Sequence, residues 1–411
     1  MFFEWLFNRL VQAGSLTVID HNGRRNRFQG TRPGPVVTIR LDDPTFRRRF
    51  PFNPELALGE AYMDGTLTME DGSLYDLLSL LARNLEETRP HLAIRLIHRL
   101  NGLFRRFQQF NPVSRARRNV AHHYDLSAKL YDLFLDRDRQ YSCAYFADGN
   151  ETLEEAQEKK KRHIAAKLLI EPGQTVLDIG CGWGGLGFYL AREAGARVTG
   201  LTLSNEQLRE ADARAEKESP DGRVRFYLRD YREETGTYDR IVSVGMFEHV
   251  GINHFRCFFN QISTLLAPGG VALLHTIGRT NGPGATSPWI RKYIFPGGCL
   301  PALSEILPHV EKAGLVITDI ETLRLHYAET LRRWRQRFQA NRQKVRALYD
   351  ERFCRMWEYY LTGSEISFRH LGLVVFQIQM AQRQDAVPIT RDYTADFELK
   401  AEKGHSGQRV A

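Results

Sequence analysis

The sequence predicts an α/β protein, a seven-stranded sheet flanked by helices, preceded by a smaller α+β domain. Three observations predict it. From about residue 160, apolar strand-like runs alternate with charged helical segments, the pattern of a parallel sheet. The first of these runs passes through a glycine turn straight into a helix, "TVLDIGCGWGGLGFYLAREAG" at 175–195. Residues 1–88 lack that rhythm and mix short strand-like runs with an apolar helix.

Taken in order, "MFFEWLFNRLVQAG" has Glu4 and Arg9 inside its apolar part and no basic residue ahead of it. It therefore reads as an amphipathic first helix and not as a signal peptide. "LTVID", "PVVTIRL" and "GTLTM" read as strands and "SLYDLLSLLARNL" as a helix, completing an N-terminal domain over 1–88. Residues 89–118 contain eight arginines and no acid, with Leu92, Leu96, Leu100, Leu103, Phe107 and Phe110 at helical spacing. This predicts a basic amphipathic linker helix, either a solvated connector or a helix lying on an anionic bilayer. The larger domain, 119–390, carries "TVLDIG", "RVTGLTL", "RVRFYLRD", "YDRIVSVG", "GGVALLHTI", "LVITDIETL" and "LGLVVFQIQM" as strands, with a long helical stretch at about 328–360 before the last. Residues 391–411 read as a partly disordered tail.

Bulk numbers narrow the function classes. A chain of 411 residues with 42% hydrophobic and 26% charged residues is ordinary for a water-soluble protein, and no uncharged stretch is long enough to span a bilayer. A net charge of +8 suits an acidic membrane surface or nucleic acid without choosing between them. Five scattered cysteines with no CxxC pair argue against a disulfide framework and against a metal site, and fit a reducing cytoplasm.

The glycine loop is the first chemical signal. Gly180, Gly182 and Gly184 let the backbone turn sharply and approach a ligand, with a helix N-terminus aimed at it. Dinucleotide folds use a related loop. Here, however, Asp178 sits two residues before the first glycine, and the second strand ends "LTLSNEQ" without an acid for a ribose diol. The arrangement resembles the class I, Rossmann-like S-adenosylmethionine-dependent methyltransferases. Ligands of such sheets bind beyond the carboxyl ends of the strands, a rim that takes in Glu248 at the tip of "IVSVGMFEHVG" and His275 in "VALLHTIG". Those two side chains are expected to be neighbours across one cleft.

Six motifs in one order narrow the resemblance. "YSCAYF" (141–146), "LDIGCGWGG" (177–185), "GLTLSNEQ" (200–207), "GMFEHVG" (245–251), "LLHTIG" (273–278) and "LHYAETL" (325–331) resemble the cyclopropane-fatty-acyl-phospholipid synthases and the related mycolic acid cyclopropane synthases and methyltransferases. The resemblance implies that Tyr141 and Ser142 contact S-adenosylmethionine. So would Val176, Leu177, Asp178 and Ile179 of the first strand, and Gly180, Cys181, Gly182, Trp183 and Gly184 of the loop. Thr202, Leu203, Ser204, Asn205, Glu206 and Gln207 come next, Gln207 standing in for the missing ribose acid, and Tyr231 and Arg232 would enclose the adenine. "HHYDLSAKLYDLFLD", ahead of Tyr141, resembles a lid segment. A bicarbonate ion is implied near the transferred methyl, held by the Cys143 backbone, by the side chains of Glu248, His275 and Tyr327, and by the backbone near Ile277.

The activity implied by this resemblance is that of a synthase adding a methylene from S-adenosylmethionine across a cis double bond of a membrane phospholipid. Drawing a diacyl lipid into water costs on the order of 20 kcal/mol at about 0.8 kcal/mol per CH₂, so the enzyme should work at the membrane surface. The basic helix at 89–118 and the N-terminal domain, whose family counterpart is said to resemble sterol carrier proteins, are the candidate docks. A cytoplasmic, peripheral homodimer with no nucleic-acid partner is expected. The alternatives are a methyl-branched or methylene-bearing product, a small amine substrate, a lipid-binding module with an inactive methyltransferase domain, and an RNA methyltransferase. One departure matters: where the family often has a cysteine after the motif like "YYLTG" (359–363), this chain has Ser364, and Cys354 lies outside the motif. That weakens a covalent-cysteine mechanism.

Overall fold

The computed structural model describes residues 2–87, 128–219 and 221–408. The expected basic helix at 89–118 and the first part of the lid segment lie outside the described residues. The chain forms two compact units.

The described residues of the first are 2–87, 285–296 and 328–373. Its sheet has the order β2 (Arg25–Gln29), β1 (Ala13–Asp20), β3 (Arg32–Leu41), β4 (Leu67–Asp71), with β1 parallel to β3 and the other pairs antiparallel. Alternation puts Leu16 and Val18 of β1 and Val37, Ile39 and Leu41 of β3 into one core with Leu77 and Leu80 of the helix Leu74–Glu87. Asn84 of that helix accepts from the N–H groups of Gln12 and Ala13 at 2.8 Å, fixing the start of β1. The polar strand β2, "RNRFQ", is absent from the strands the sequence predicts; it is an edge strand in which only Phe28 is buried. The helical stretch expected at about 328–360 is three helices, His326–Ala340, Arg342–Leu348 and Glu351–His370. The last break has a local cause: Asp350 caps the third helix by accepting from Phe353 N at 2.6 Å.

The second unit holds the seven-stranded sheet, ordered β10 (Val316–Leu323), β11 (Leu373–Ala381), β9 (Leu266–Arg279), β8 (Tyr238–Val244), β5 (Thr175–Ile179), β6 (Arg197–Thr202), β7 (Val224–Leu228). The pairs β5–β6, β6–β7, β5–β8 and β8–β9 are parallel, and β10–β11 is antiparallel. Strand order runs outward in one direction from β5 and in the other from β8, so the switch point lies between "TVLDI" and "YDRIVSV". Residues 391–411, expected as a tail, contain the helix Asp392–Gln408. It is tied to the unit where Glu398 meets His163 Nδ1 at 2.7 Å and Tyr393 accepts from Gln379 Nε2 at 3.0 Å. Among the described residues no helix is long and apolar enough to cross a membrane, and no cluster of His, Cys, Asp and Glu could hold a metal.

Candidate active site

At the switch point the ends of β5, β6, β7 and β8 surround a cavity of about 1170 Å³ including its mouth. Gly180, Cys181, Gly182 and Trp183 of the glycine loop line it, and Gly184 does not. Gly180 has φ +87°, and a Cβ there would meet Met246 Cβ at 2.7 Å; Gly184 has φ +82°, and a Cβ there would meet Phe226 Cζ at 2.4 Å. Both positions need glycine for conformation and for space. Asp178 and Ile179 of β5, Cys181, Gly182 and Trp183 of the loop, and Thr202, Leu203 and Gln207 after β6 all line the cavity. So do Tyr141 and Ser142, and Tyr231 and Arg232 after β7. Val176 and Leu177 are enclosed in the sheet at 0% exposure and do not line it. Nor do Ser204, Asn205 and Glu206: Ser204 instead caps the helix Asn205–Glu218 by accepting from Gln207 N. Gln207 accepts from Thr202 Oγ1 at 2.7 Å, which fixes its side chain against the end of β6.

Lining residues that escape sequence reasoning include three polar ones. Asp230, at the end of β7, accepts two hydrogen bonds from the Arg232 guanidinium at 2.8 and 2.7 Å. Arg139, in the left-handed region at φ +51°, is held by Asp132 and Glu210. The third is His249, whose burial drives its pKa down to about 4, so a neutral ring borders the cavity. The adjacent acid and imidazole thus part company: His249 lines the cavity, and Glu248 is engaged with β9.

Glu248 lies in the short turn Phe247–His249 and accepts from Ile277 N at 2.5 Å. Burial raises its carboxyl to about 7, against the lowering effect of the Ile277 N–H. His275 sits two residues earlier on β9, opposite Val244 of β8, and its carbonyl accepts from Gly245 N at 2.9 Å. Burial first, then the positive field of Lys160 and Lys167, holds its imidazole at about 3. Its Nδ1 is 3.2 Å from Gln377 Nε2 on β11, a partner whose only sequence signal is a polar residue in an apolar strand. Glu248 Oε2, His275 Nε2 and Gln377 Oε1 are buried without a hydrogen-bond partner among the described residues. Unsatisfied buried polar atoms are costly, so each calls for a water or another polar partner.

Cys143 and Tyr327 are buried, at 1% and 8% exposure. Their chain neighbours are in contact: Phe146 N donates to His326 Nδ1 at 3.0 Å, and Tyr145 stacks on the His326 ring at 4.9 Å. None of Cys143, Glu248, His275, Ile277 and Tyr327 lines the main cavity; Glu248 is bracketed by Met246 and His249, which do. Ser364 lies within the helix Glu351–His370, and Cys354 is buried in it.

Comparison with known proteins adds identity to this geometry. The family model described as mycolic acid cyclopropane synthetase matches residues 112–378. The cyclopropane-fatty-acyl-phospholipid synthase of Escherichia coli (strain K12) is 39% identical over 342 residues, 83% of this chain and 86% of that protein. Tuberculostearic acid methyltransferase UfaA1 of Mycobacterium tuberculosis is 38% identical over 356 residues, 84% of this chain and 82% of that protein. Among solved structures, mycolic acid cyclopropane synthase CmaA1 complexed with SAH and CTAB superposes with a TM-score of 0.62 at 34% identity, covering 66% of this chain and 99% of that one.

Proposed function

The chain belongs to the mycolic acid cyclopropane synthetase family of S-adenosylmethionine-dependent methyltransferases, and on that premise we propose that it adds a methylene across a cis double bond of phospholipid acyl chains. The observation that carries this reading is the pair of buried atoms Glu248 Oε2, in the turn after β8, and His275 Nε2, on β9, neither with a hydrogen-bond partner among the described residues.

S-adenosylmethionine, when bound, supplies an electrophilic methyl, and alkene attack on it leaves a carbocation on the acyl chain. The glycine loop, with Asp178 Oδ2 and Trp183 Nε1 buried and unsatisfied, fits that cofactor. The protein's task is to hold the alkene in line with the methyl, an effect worth roughly 7–11 kcal/mol, and to keep water from the cation. The unsatisfied atoms of Glu248 and His275, with Tyr327 and the Cys143 backbone, would hold bicarbonate, which supplies a small oxygen base. A second anion beside Glu248 requires a proton on one of them, and a Glu248 carboxyl raised to about 7 is suited to carry it. Ile277 N–H orients Glu248, and Gln377 orients His275. A peripheral homodimer docked on an anionic membrane surface completes the reading.

A second product is kept because UfaA1, at 38% identity, is a tuberculostearic acid methyltransferase: by losing a proton without ring closure the same cation gives a methylene-bearing chain, which becomes a methyl branch only if a separate hydride donor reduces it. Incubation with S-adenosylmethionine and liposomes of mono-unsaturated, partly anionic phospholipid, with product identification by gas chromatography–mass spectrometry, decides. A cyclopropane acyl chain supports the synthase; a methylene-bearing chain, the product accessible without a reductant, supports the second reading; no product with the cofactor still bound rejects both.

A further inference from the structure

The helix Leu153–Leu168 buries an unusual row of polar side chains, Gln157, Lys160, Lys161 and His163 among them. An ammonium at 1% exposure is costly unless it is fully bonded or used. Lys160 Nζ donates to Gln140 Oε1 at 2.5 Å and to Ser142 Oγ at 2.9 Å. Three residues before it, Gln157 Nε2 donates to the carbonyls of Gln140 and Ser142 at 3.1 and 3.0 Å. One helical face therefore clamps the segment that brings Tyr141 and Ser142 to the cavity wall.

The donor pattern has a direction. An ammonium has only donors, so Ser142 Oγ must accept from Lys160, and its own proton is left to point elsewhere. The next wall position is Gly245, whose absent Cβ would lie 3.9 Å from Ser142 Cβ. The Ser142 corner of the cavity thus offers a hydroxyl donor backed by a buried cation, which suits a carboxylate. Asp178 supplies the opposite polarity, with a buried Oδ2 lacking a partner. A zwitterionic amino acid has both ends.

We infer that Lys160 is a positioning residue which, acting through Ser142, makes this corner of the cavity select the carboxylate of the cofactor's amino-acid end. The inference rests on the proposed cofactor and adds a specificity device to it. Lys160 fixes the direction in which Ser142 donates and supplies the counter-charge, while Asp178 takes the ammonium.

The test measures binding of S-adenosylhomocysteine and of 5′-methylthioadenosine, which lacks the amino-acid end, by calorimetry. Wild type, Lys160→Met, Lys160→Arg, Ser142→Ala and the Met/Ala double variant are compared. Charge-assisted hydrogen bonds contribute about 1.5–3 kcal/mol, so Lys160→Met should weaken S-adenosylhomocysteine about 10- to 100-fold. It should leave 5′-methylthioadenosine within about threefold. Ser142→Ala should show the same selective loss, the double variant should lose less than the product of the two, and Lys160→Arg should recover part of it. Equal weakening of both ligands in Lys160→Met and Ser142→Ala, or no change in either, would overturn the inference. Failure of wild type to bind S-adenosylhomocysteine would instead reject the proposed cofactor, and the inference with it.

Discussion

Ile277 N–H donates to Glu248 Oε1 at 2.5 Å, so the acid at the tip of β8 is anchored to the end of β9 and not to solvent. One carboxylate oxygen is fixed by backbone and the other is buried and unsatisfied. The two oxygens therefore differ in what they can do: one positions the group, and the other is open to a ligand or a proton.

Glu248→Gln keeps the shape and can still accept from Ile277, but it cannot carry the exchangeable carboxyl proton. Turnover should fall about 10²- to 10⁴-fold, the range for loss of proton-transfer chemistry. Binding of S-adenosylhomocysteine should stay within about threefold. Single-turnover assays beside calorimetry check both; parallel losses would mean that Glu248 supports the fold only.

The same residue sets a pH dependence of stability. Its folded carboxyl titrates at about 7 against an ordinary 4.5, so the folded state holds the proton more tightly than the unfolded chain. Wild type should lose stability as pH rises from about 4.5 to about 7, relative to Glu248→Gln. The gap should reach about 3 kcal/mol by pH 8. Urea unfolding of the two ligand-free proteins at pH 5 and pH 8 measures it, and a pH-independent difference refutes the assignment.

Gln377→Leu removes the partner of His275 Nδ1 in a region where both side chains are 2% exposed or less. Leaving a buried ring nitrogen unsatisfied should cost about 1–3 kcal/mol. Turnover should fall further than cofactor affinity, because the imidazole loses its orientation. Nitrogen-15 spectra of the histidine side chains should show one ring changing tautomer population, identified as His275 by its absence in His275→Asn.

Gly184→Ala places a Cβ 2.4 Å from Phe226 Cζ at φ +82°. Left-handed backbone alone costs about 1–2 kcal/mol for an alanine, and overpacking adds about 1–3 kcal/mol. The variant should melt lower than wild type and bind S-adenosylhomocysteine at least about tenfold more weakly. Normal affinity would mean that the loop tolerates a side chain and does not cradle the cofactor.

Much of this architecture is legible in the sequence because it obeys local rules. "TVLDIGCGWGG" announces strand, turn and helix by apolar run and glycine spacing, and β5 and the helix Gly185–Glu193 occupy that stretch. The expected cleft between Glu248 and His275 is a different matter: neither lines the cavity, and His275 sits within β9, four residues before its end. The illegible part depends on tertiary neighbours. Gln377 has the signature of any polar residue in a buried strand until β11 is placed beside β9. Lys160 sits in the charged run "QEKKKR", which composition assigns to solvent, yet it is among the most buried side chains. The helix Asp392–Gln408 has little apolar periodicity, and its anchor, Glu398 on His163, joins residues 235 positions apart.

In the proposed reaction, the polar site at Glu248 and His275 serves to remove a proton from the transferred methyl. The sharpest test supplies S-adenosylmethionine carrying a trideuterated methyl, with mono-unsaturated phospholipid liposomes, and counts deuterium in the acyl product by mass spectrometry. The expected product is a cyclopropane retaining two of the three deuterium atoms, formed by wild type and lost with Glu248→Gln. A product that keeps all three deuterium atoms, or one formed equally by Glu248→Gln, would contradict that role.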